Sequence, residues 1–112
     1  MESLFSYGTL RDESVQRAVF GHTLDGVPDA ILGYRLEIVT ITDPQAIAIS
    51  GHARHPILMP TGQDSDQVQG TVLGLTGAEL LLADGYEDAA YKRVKAPLRS
   101  GSQTWVYVQA KD

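Results

Sequence analysis

The sequence predicts an α+β fold, a small mixed β-barrel with two flanking short helices. Short runs rich in β-branched and aromatic residues recur along the chain, and only two stretches carry a helical period. A length of 112 residues suits one core, so positions 1–112 are expected to form a single domain.

The first strand is Leu4 to Leu10, an apolar run that ends in a Gly8 turn. Thr9, with Asp12 three residues on, fits an N-cap for the helix that follows. A corner of this kind turns backbone N–H groups toward whatever lies above it, usually an anion. From Asp12 to Phe20, Val15 and Val19 share one face with Ala18 beside them, while Arg11, Glu13, Gln16 and Arg17 mark the wet face. Gly21 is the expected C-cap. His22 to Ala30, with Gly26 and Pro28, reads as a connecting loop.

Ile31 to Thr42 reads as one strand, buried on both faces near Ile38, Val39 and Ile41. Asp43-Pro44 breaks it, and Ala46 to Ile49 is its expected hairpin partner. Ser50 to Asp66 is loop-prone, with Ile57-Leu58-Met59 as a short strand inside it. Val68 to Leu75 is the next strand, where Gly70 and Gly74 mark a bulge or a close backbone approach. Thr76 to Glu79 forms a capping box before Leu80-Leu81-Leu82, so a second helix begins there, with Gly85 ending or distorting it. Lys92 to Leu98, a turn at Ser100-Gly101-Ser102, and the alternating run Thr104 to Gln109 complete the sheet.

Composition narrows the function. Net charge is -5, which gives no electrostatic footprint for nucleic acid or an anionic membrane. The chain has no cysteine, which removes disulfides, thiolate metal sites and a Cys nucleophile together. Met1-Glu2 leads straight into the first strand without a basic or long apolar leader, so the expected compartment is the cytoplasm. His52 and His55 have a spacing that metal sites use, but no acidic cluster in that loop completes a site, so no metal is expected. Ser50 lacks the Gly-x-Ser-x-Gly elbow. Asp84, Glu87 and Asp88 form an acidic cluster past the second helix. Leu80–Leu82, Tyr86 and Tyr91 frame Glu87, and such shielding would make it a better proton acceptor at neutral pH.

Three segments combine into a recognisable pattern: Phe5-Ser6-Tyr7-Gly8-Thr9-Leu10, then Val68-Gln69-Gly70-Thr71-Val72, then Asp84-Gly85-Tyr86-Glu87 with Tyr91-Lys92-Arg93-Val94. In this order the chain resembles, over nearly its whole length, the γ-glutamylcyclotransferase-like (AIG2-like) family. The resemblance implies a small mixed barrel whose Tyr7, Gly8, Thr9 and Leu10 line a pocket for a γ-glutamyl group. It implies Glu87 as general acid and base, and Tyr91 as a pocket wall or hydroxyl donor. The implied reaction is attack of the substrate's α-amine on its own γ-carbonyl, giving 5-oxoproline and a free amine without a cofactor. The implied partner is a small γ-glutamyl amine, isopeptide or amino acid, and the chain is expected to be a monomer or weak homodimer. Ala83 stands before Asp84 where the family usually has a larger apolar residue, and Ser6 stands before Tyr7 where it usually has an apolar one. A small-molecule binding module using the same pocket without chemistry is the alternative, and a biosynthetic acyl-transfer enzyme a third.

Overall fold

In the computed structural model β1 (Glu2–Ser6) lies at the centre of the sheet, so the N-terminal strand carries the rest of the molecule. The structure describes residues 1–40, 44–45, 48, 54–87 and 91–110. β1 feeds a 3-10 turn (Thr9–Arg11) and α1 (Glu13–Phe20). Then come β2 (Gly26–Leu32), β3 (Tyr34–Thr40), β4 (Arg54–Pro60), β5 (Gln67–Leu75), α2 (Gly77–Tyr86), β6 (Tyr91–Pro97) and β7 (Gln103–Gln109).

The main sheet has the order β2-β5-β1-β7-β6, and β3-β4 forms a separate hairpin. β1 pairs antiparallel with β5 and parallel with β7, so the sheet is mixed as expected. It curls until its two edges meet at one bridge, Ile31 opposite Leu98, rather than closing along a full strand. Alternation along β1 sends Leu4 to one face and Phe5 to the other. Leu4, Leu73 and Leu75 pack under the helices with Val15, Leu80, Ala83 and Tyr86. Phe5, Ile31, Ala96 and Val106 fill the inside of the curl, where the hairpin adds Leu58.

Several boundaries differ from the sequence reading, each for a local reason. Thr9 is not the cap of α1. Asp12 holds that position with extended backbone and no side-chain cap bond. Gln16 leaves the wet face and is buried, because its amide donates to the Leu10 carbonyl (2.9 Å) and its oxygen accepts from the Leu24 amide (2.8 Å). Ala18 is exposed. The loop expected over His22 to Ala30 becomes strand from Gly26, with Pro28 tolerated at a sheet edge. Gly33, at φ 83°, splits the long strand into β2 and β3. Leu36 and Ile38 are exposed, so β3 is not buried on both faces there.

The hairpin partner of β3 is β4, which contains Ile57-Leu58-Met59, in place of Ala46 to Ile49. Of that expected partner only Ala48 is described, and it is helical. Ile41, Ser50, His52 and Asp88 lie outside the described residues. Thr76 and Glu79 form the expected capping box, with reciprocal bonds of 3.1 and 2.9 Å. Gly85 sits inside α2, which continues to Tyr86.

Gly74 stays in register opposite Ser3 with no bulge, whereas Gly70 is a true close approach. A Cβ on Gly70 would stand 2.5 Å from both the Phe5 ring and the Ser6 carbonyl oxygen. Neither neighbour can yield, since one is core and the other is backbone. Gly70→Ala is therefore expected to cost about 1–3 kcal/mol, read as a lowered urea midpoint. Gly74→Ala, where a Cβ meets nothing within 4 Å, should move the midpoint far less, and equal shifts would contradict this account.

Candidate active site

The corner after β1 is shaped by its own side chains. Arg11 donates to the Tyr7 carbonyl (3.0 Å) and the Gly8 carbonyl (3.2 Å), which fixes both peptide planes. The Tyr7 hydroxyl donates to the Tyr107 carbonyl across the sheet at 2.5 Å. Thr9, displaced from its expected capping role, has its hydroxyl 2.6 Å from the Tyr86 hydroxyl at the end of α2. That contact draws the helix C-terminus over the corner.

Glu87 follows as the helix C-cap, with extended backbone and its amide on the Ala83 carbonyl. It therefore faces the corner rather than continuing the helix. Ser6 to Leu10, Pro56, Glu87, Tyr91 and Tyr107 enclose a nook of about 30 Å³. Glu87, Tyr91 and Tyr107 also border a wider bowl of about 410 Å³, whose outer wall is Asp84, Arg93 and Trp105. The structure thus brings Tyr7, Gly8, Thr9, Leu10, Glu87 and Tyr91 together although some eighty positions separate the two groups.

The shield around Glu87 differs in its parts from the one expected. Leu81 and Leu82 are exposed and turn away. Tyr91 lines the nook with Glu87 as expected, Tyr107 and Pro56 join it in place of the leucines, and the Tyr91 hydroxyl donates to the Pro56 carbonyl at 2.7 Å. Tyr107 and Arg93 were missed as site residues. The signal was present in the alternation of Thr104 to Gln109 and of β6, because Tyr91, Arg93 and Lys95 share one face with their cross-strand partners Gln109, Tyr107 and Trp105.

Asp84 separates from Glu87 in role. Arg93 grips it with two bonds, Nε to Oδ1 at 2.7 Å and Nη2 to Oδ2 at 2.9 Å, and the Tyr107 hydroxyl donates to Oδ1 at 2.6 Å. The Arg93 bonds, and then the Tyr107 bond, hold its carboxyl below the usual carboxylate range. Burial, joined by nearby Tyr91 and the Glu87 charge, pushes the Tyr7 phenol far up. Burial and the Asp84 hydrogen bond do the same for Tyr107. Both phenols stay protonated at any physiological pH. Among the described residues no cluster of three His, Asp or Glu side chains is arranged to hold a metal. His55 lies in β4, and no described helix is long and apolar enough to cross a membrane.

Residues 4–112 match the family described as "Gamma-glutamyl cyclotransferase, AIG2-like". The chain belongs to that family. It is 34% identical over 118 residues to AIG2-like protein D of Arabidopsis thaliana, covering 99% of this chain and 69% of that protein. A solution structure of another Arabidopsis thaliana protein superposes with a TM-score of 0.69 at 24% identity, covering 96% of this chain. This chain spans 61% of that protein's length. A structure named "Gamma-glutamyl cyclotransferase" superposes with a TM-score of 0.67 at 14% identity, covering 98% of this chain and 67% of the other. At these identities the two structures speak for the fold, which is that of the cyclotransferase-like proteins.

The Asp84 pairing fixes the sign of one pH effect. Its carboxyl is depressed in the folded state, so its stabilising contribution is present above about pH 4, where an unfolded aspartate is ionised, and is lost as pH falls through the lowered value. Asp84→Asn should lower stability at neutral pH and flatten the acid limb in urea melts taken between about pH 2 and pH 7. An unchanged acid slope in that variant would contradict the pairing.

Proposed function

We propose that this protein is a γ-glutamyl cyclotransferase-like enzyme that releases 5-oxoproline and a free amine from a γ-glutamyl amine, isopeptide or amino acid. One observation carries the reading. Glu87 is the sole carboxylate among the described residues lining the nook that Tyr7, Gly8, Thr9 and Leu10 also line.

The chemistry needs little else. The α-nitrogen of the substrate attacks its own γ-carbonyl carbon, a ring C–N bond forms, and the bond to the departing nitrogen breaks. Atoms balance without water, metal or covalent enzyme. At neutral pH the α-nitrogen is an ammonium, so a base must remove its proton before attack. Glu87 takes that proton and returns one to the leaving nitrogen, a contribution of about 10²- to 10⁴-fold. The neighbouring phenols are poor competitors for this role. Tyr7 donates to a backbone carbonyl and Tyr107 to Asp84, and both are held protonated.

The two adjoining spaces support a placement of the substrate. Glu87, Tyr91 and Tyr107 line both the nook and the bowl, so one compound can occupy the two together. The Gly8–Leu10 amides would meet a carboxylate or carbonyl oxygen in the nook. The remainder of the compound then lies in the bowl, past Glu87 and Tyr91. Holding the chain bent at this acid supplies proximity, which in well-oriented systems corresponds to roughly 7–11 kcal/mol of barrier.

Incubation with a panel of γ-glutamyl compounds, followed by mass-spectrometric detection of 5-oxoproline, tests the assignment. Glu87→Gln should reduce kcat by about 10²-fold or more while leaving the thermal transition in place. Full turnover in that variant would remove Glu87 from the mechanism. Saturable ligand stabilisation with no product in the unaltered protein would replace the enzyme by a binding module.

A further inference from the structure

The strands β6 and β7 separate two spaces. Tyr91, Arg93, Trp105 and Tyr107 face the bowl beside Glu87. By alternation Lys92, Val94 and Ala96 face the other way, toward the inside of the curl, and Val108 lies directly opposite Lys92. On that side a second cleft of about 440 Å³ opens between β6-β7 and the end of the β3-β4 hairpin where Tyr34 pairs with Pro60. Its volume falls in the range of small-molecule sites, roughly 300–1,000 Å³. The cleft shares no lining residue with the nook or the bowl. Val94, Val108, Met59 and Pro60 give it apolar walls.

The polar groups of this cleft share one character. Lys92 is exposed, and among the described residues no carboxylate pairs with its ammonium. Tyr34 is half-buried, and its hydroxyl bonds to none of the described residues. Burial pushes that phenol up, so it keeps its proton and remains a donor. Gln109 adds a side-chain amide. Lys95 lines the cleft as well, but its ammonium lies over the Trp105 ring, 4.6 Å from the centroid, on the opposite face of the sheet. The chain carries a net charge of -5, yet no Asp or Glu lines this cleft. Apolar walls with a lone cation and a phenol donor complement an apolar body that ends in an anion. We propose that the cleft is a second ligand site, taking a small amphipathic carboxylate whose alkyl or aryl body lies on Val94, Val108 and Met59 and whose head is bound by Lys92 and the Tyr34 hydroxyl. The inference stands apart from the cyclisation reading, because β6 and β7 lie between the two sites. One ammonium and one phenol match a single negative charge, which favours a carboxylate over the more highly charged phosphate head.

The test titrates the isotope-labelled chain with octanoate, octanol, octylamine and octyl phosphate, which share a tail and differ in the head, and with inorganic phosphate, which has no tail. Backbone amide chemical shifts report both affinity and place. Octanoate should bind saturably, with shifts centred on Tyr34, Lys92, Val94 and Val108. It should bind about tenfold or more tightly than octanol, as charge-assisted hydrogen bonds supply. Octylamine and inorganic phosphate should bind more weakly still, and octyl phosphate no more tightly than octanoate. Lys92→Met, which keeps an apolar stem and removes the ammonium, should cut the preference for octanoate over octanol severalfold. Tyr34→Phe should cut it by a smaller factor.

No saturable binding of octanoate overturns the inference, and so does equal affinity for octanoate and octanol. Tighter binding of octyl phosphate overturns the carboxylate assignment. Shifts centred on Gly8 and Glu87 would place the anion at the corner and overturn the second site. A preference that survives Lys92→Met removes that lysine, and the proposal with it. Thermal melts report whether Tyr34→Phe still folds. Lys92→Met, an exposed change on the sheet-edge strand β6, decides the matter if it does not.

Discussion

The hydroxyls of Thr9 and Tyr86, 2.6 Å apart, join two parts of the chain 77 residues apart, and the geometry of the candidate site depends on that junction. Tyr86 is the last residue of α2 and Glu87 is its cap, so fixing the tyrosine fixes the carboxylate to within one residue. The other end of α2 is fixed as well. Its capping box closes on Thr76, and His22 reaches from the end of α1 to hydrogen-bond Glu79 inside that box. A helix held at both ends delivers its C-terminus at a distance set by its length, about 1.5 Å per residue. The corner it meets is equally constrained, because it leaves the central strand of the sheet and Gly70 lets the Phe5 ring lie against β5. Neither partner is on a long loop, and both borrow their rigidity from regular structure.

Two carboxylates three residues apart in sequence end in different electrostatic settings. Asp84 is gripped by Arg93 and the Tyr107 hydroxyl, which favours its ionised form and turns it into a strut between α2 and the β6-β7 pair. Glu87 lies among phenols and backbone, where its charge is one reason that Tyr7 and Tyr107 hold their protons. The first acid stiffens the wall against which the second is presented. The separation comes from the register of β6 and β7, which sets Arg93 opposite Tyr107 on the face that looks at the helix. A one-residue slip would turn both away.

Much of this was legible in the chain. The Tyr7-Gly8-Thr9-Leu10 corner, the capping box at Thr76, the Gly21 cap and the close approach at Gly70 each follow from a local rule whose terms are all present within a few residues. The errors share another origin. The charged neighbours of Gln16 mark it as solvent-facing, but backbone groups of the turns before and after α1, at Leu10 and Leu24, satisfy its amide and make its burial tolerable. Thr9 looked like a cap because its true partner is the hydroxyl of Tyr86. Gly26 and Pro28 looked like a loop because the β5 ladder that recruits them lies some forty residues downstream. In each case a hydrogen bond to a group outside the local segment outweighed a local preference, across 77 residues for Thr9 and across the β2–β5 ladder for Gly26 and Pro28, which is the kind of term that propensity does not contain. Asp84 belongs to the same group, since nothing in the acidic run itself distinguishes the acid that Arg93 grips from the acid that lines the nook.

On the cyclisation reading, the contrast between a small nook and a wide bowl has mechanistic content of its own. Binding extended and bent forms alike would gain nothing in the ring-closing step, because uniform binding does not lower the barrier. A nook whose corner amides hold one oxygen-bearing group anchors a single end. The walls of Tyr91 and Tyr107 then leave the remainder of the substrate only the direction of the bowl. Glu87 stands where the two spaces meet, so the point at which the substrate must bend is also the point at which its amine loses a proton. Selection of the bent conformer and the proton transfer thus draw on the same junction, the helix end pinned to the glycine corner.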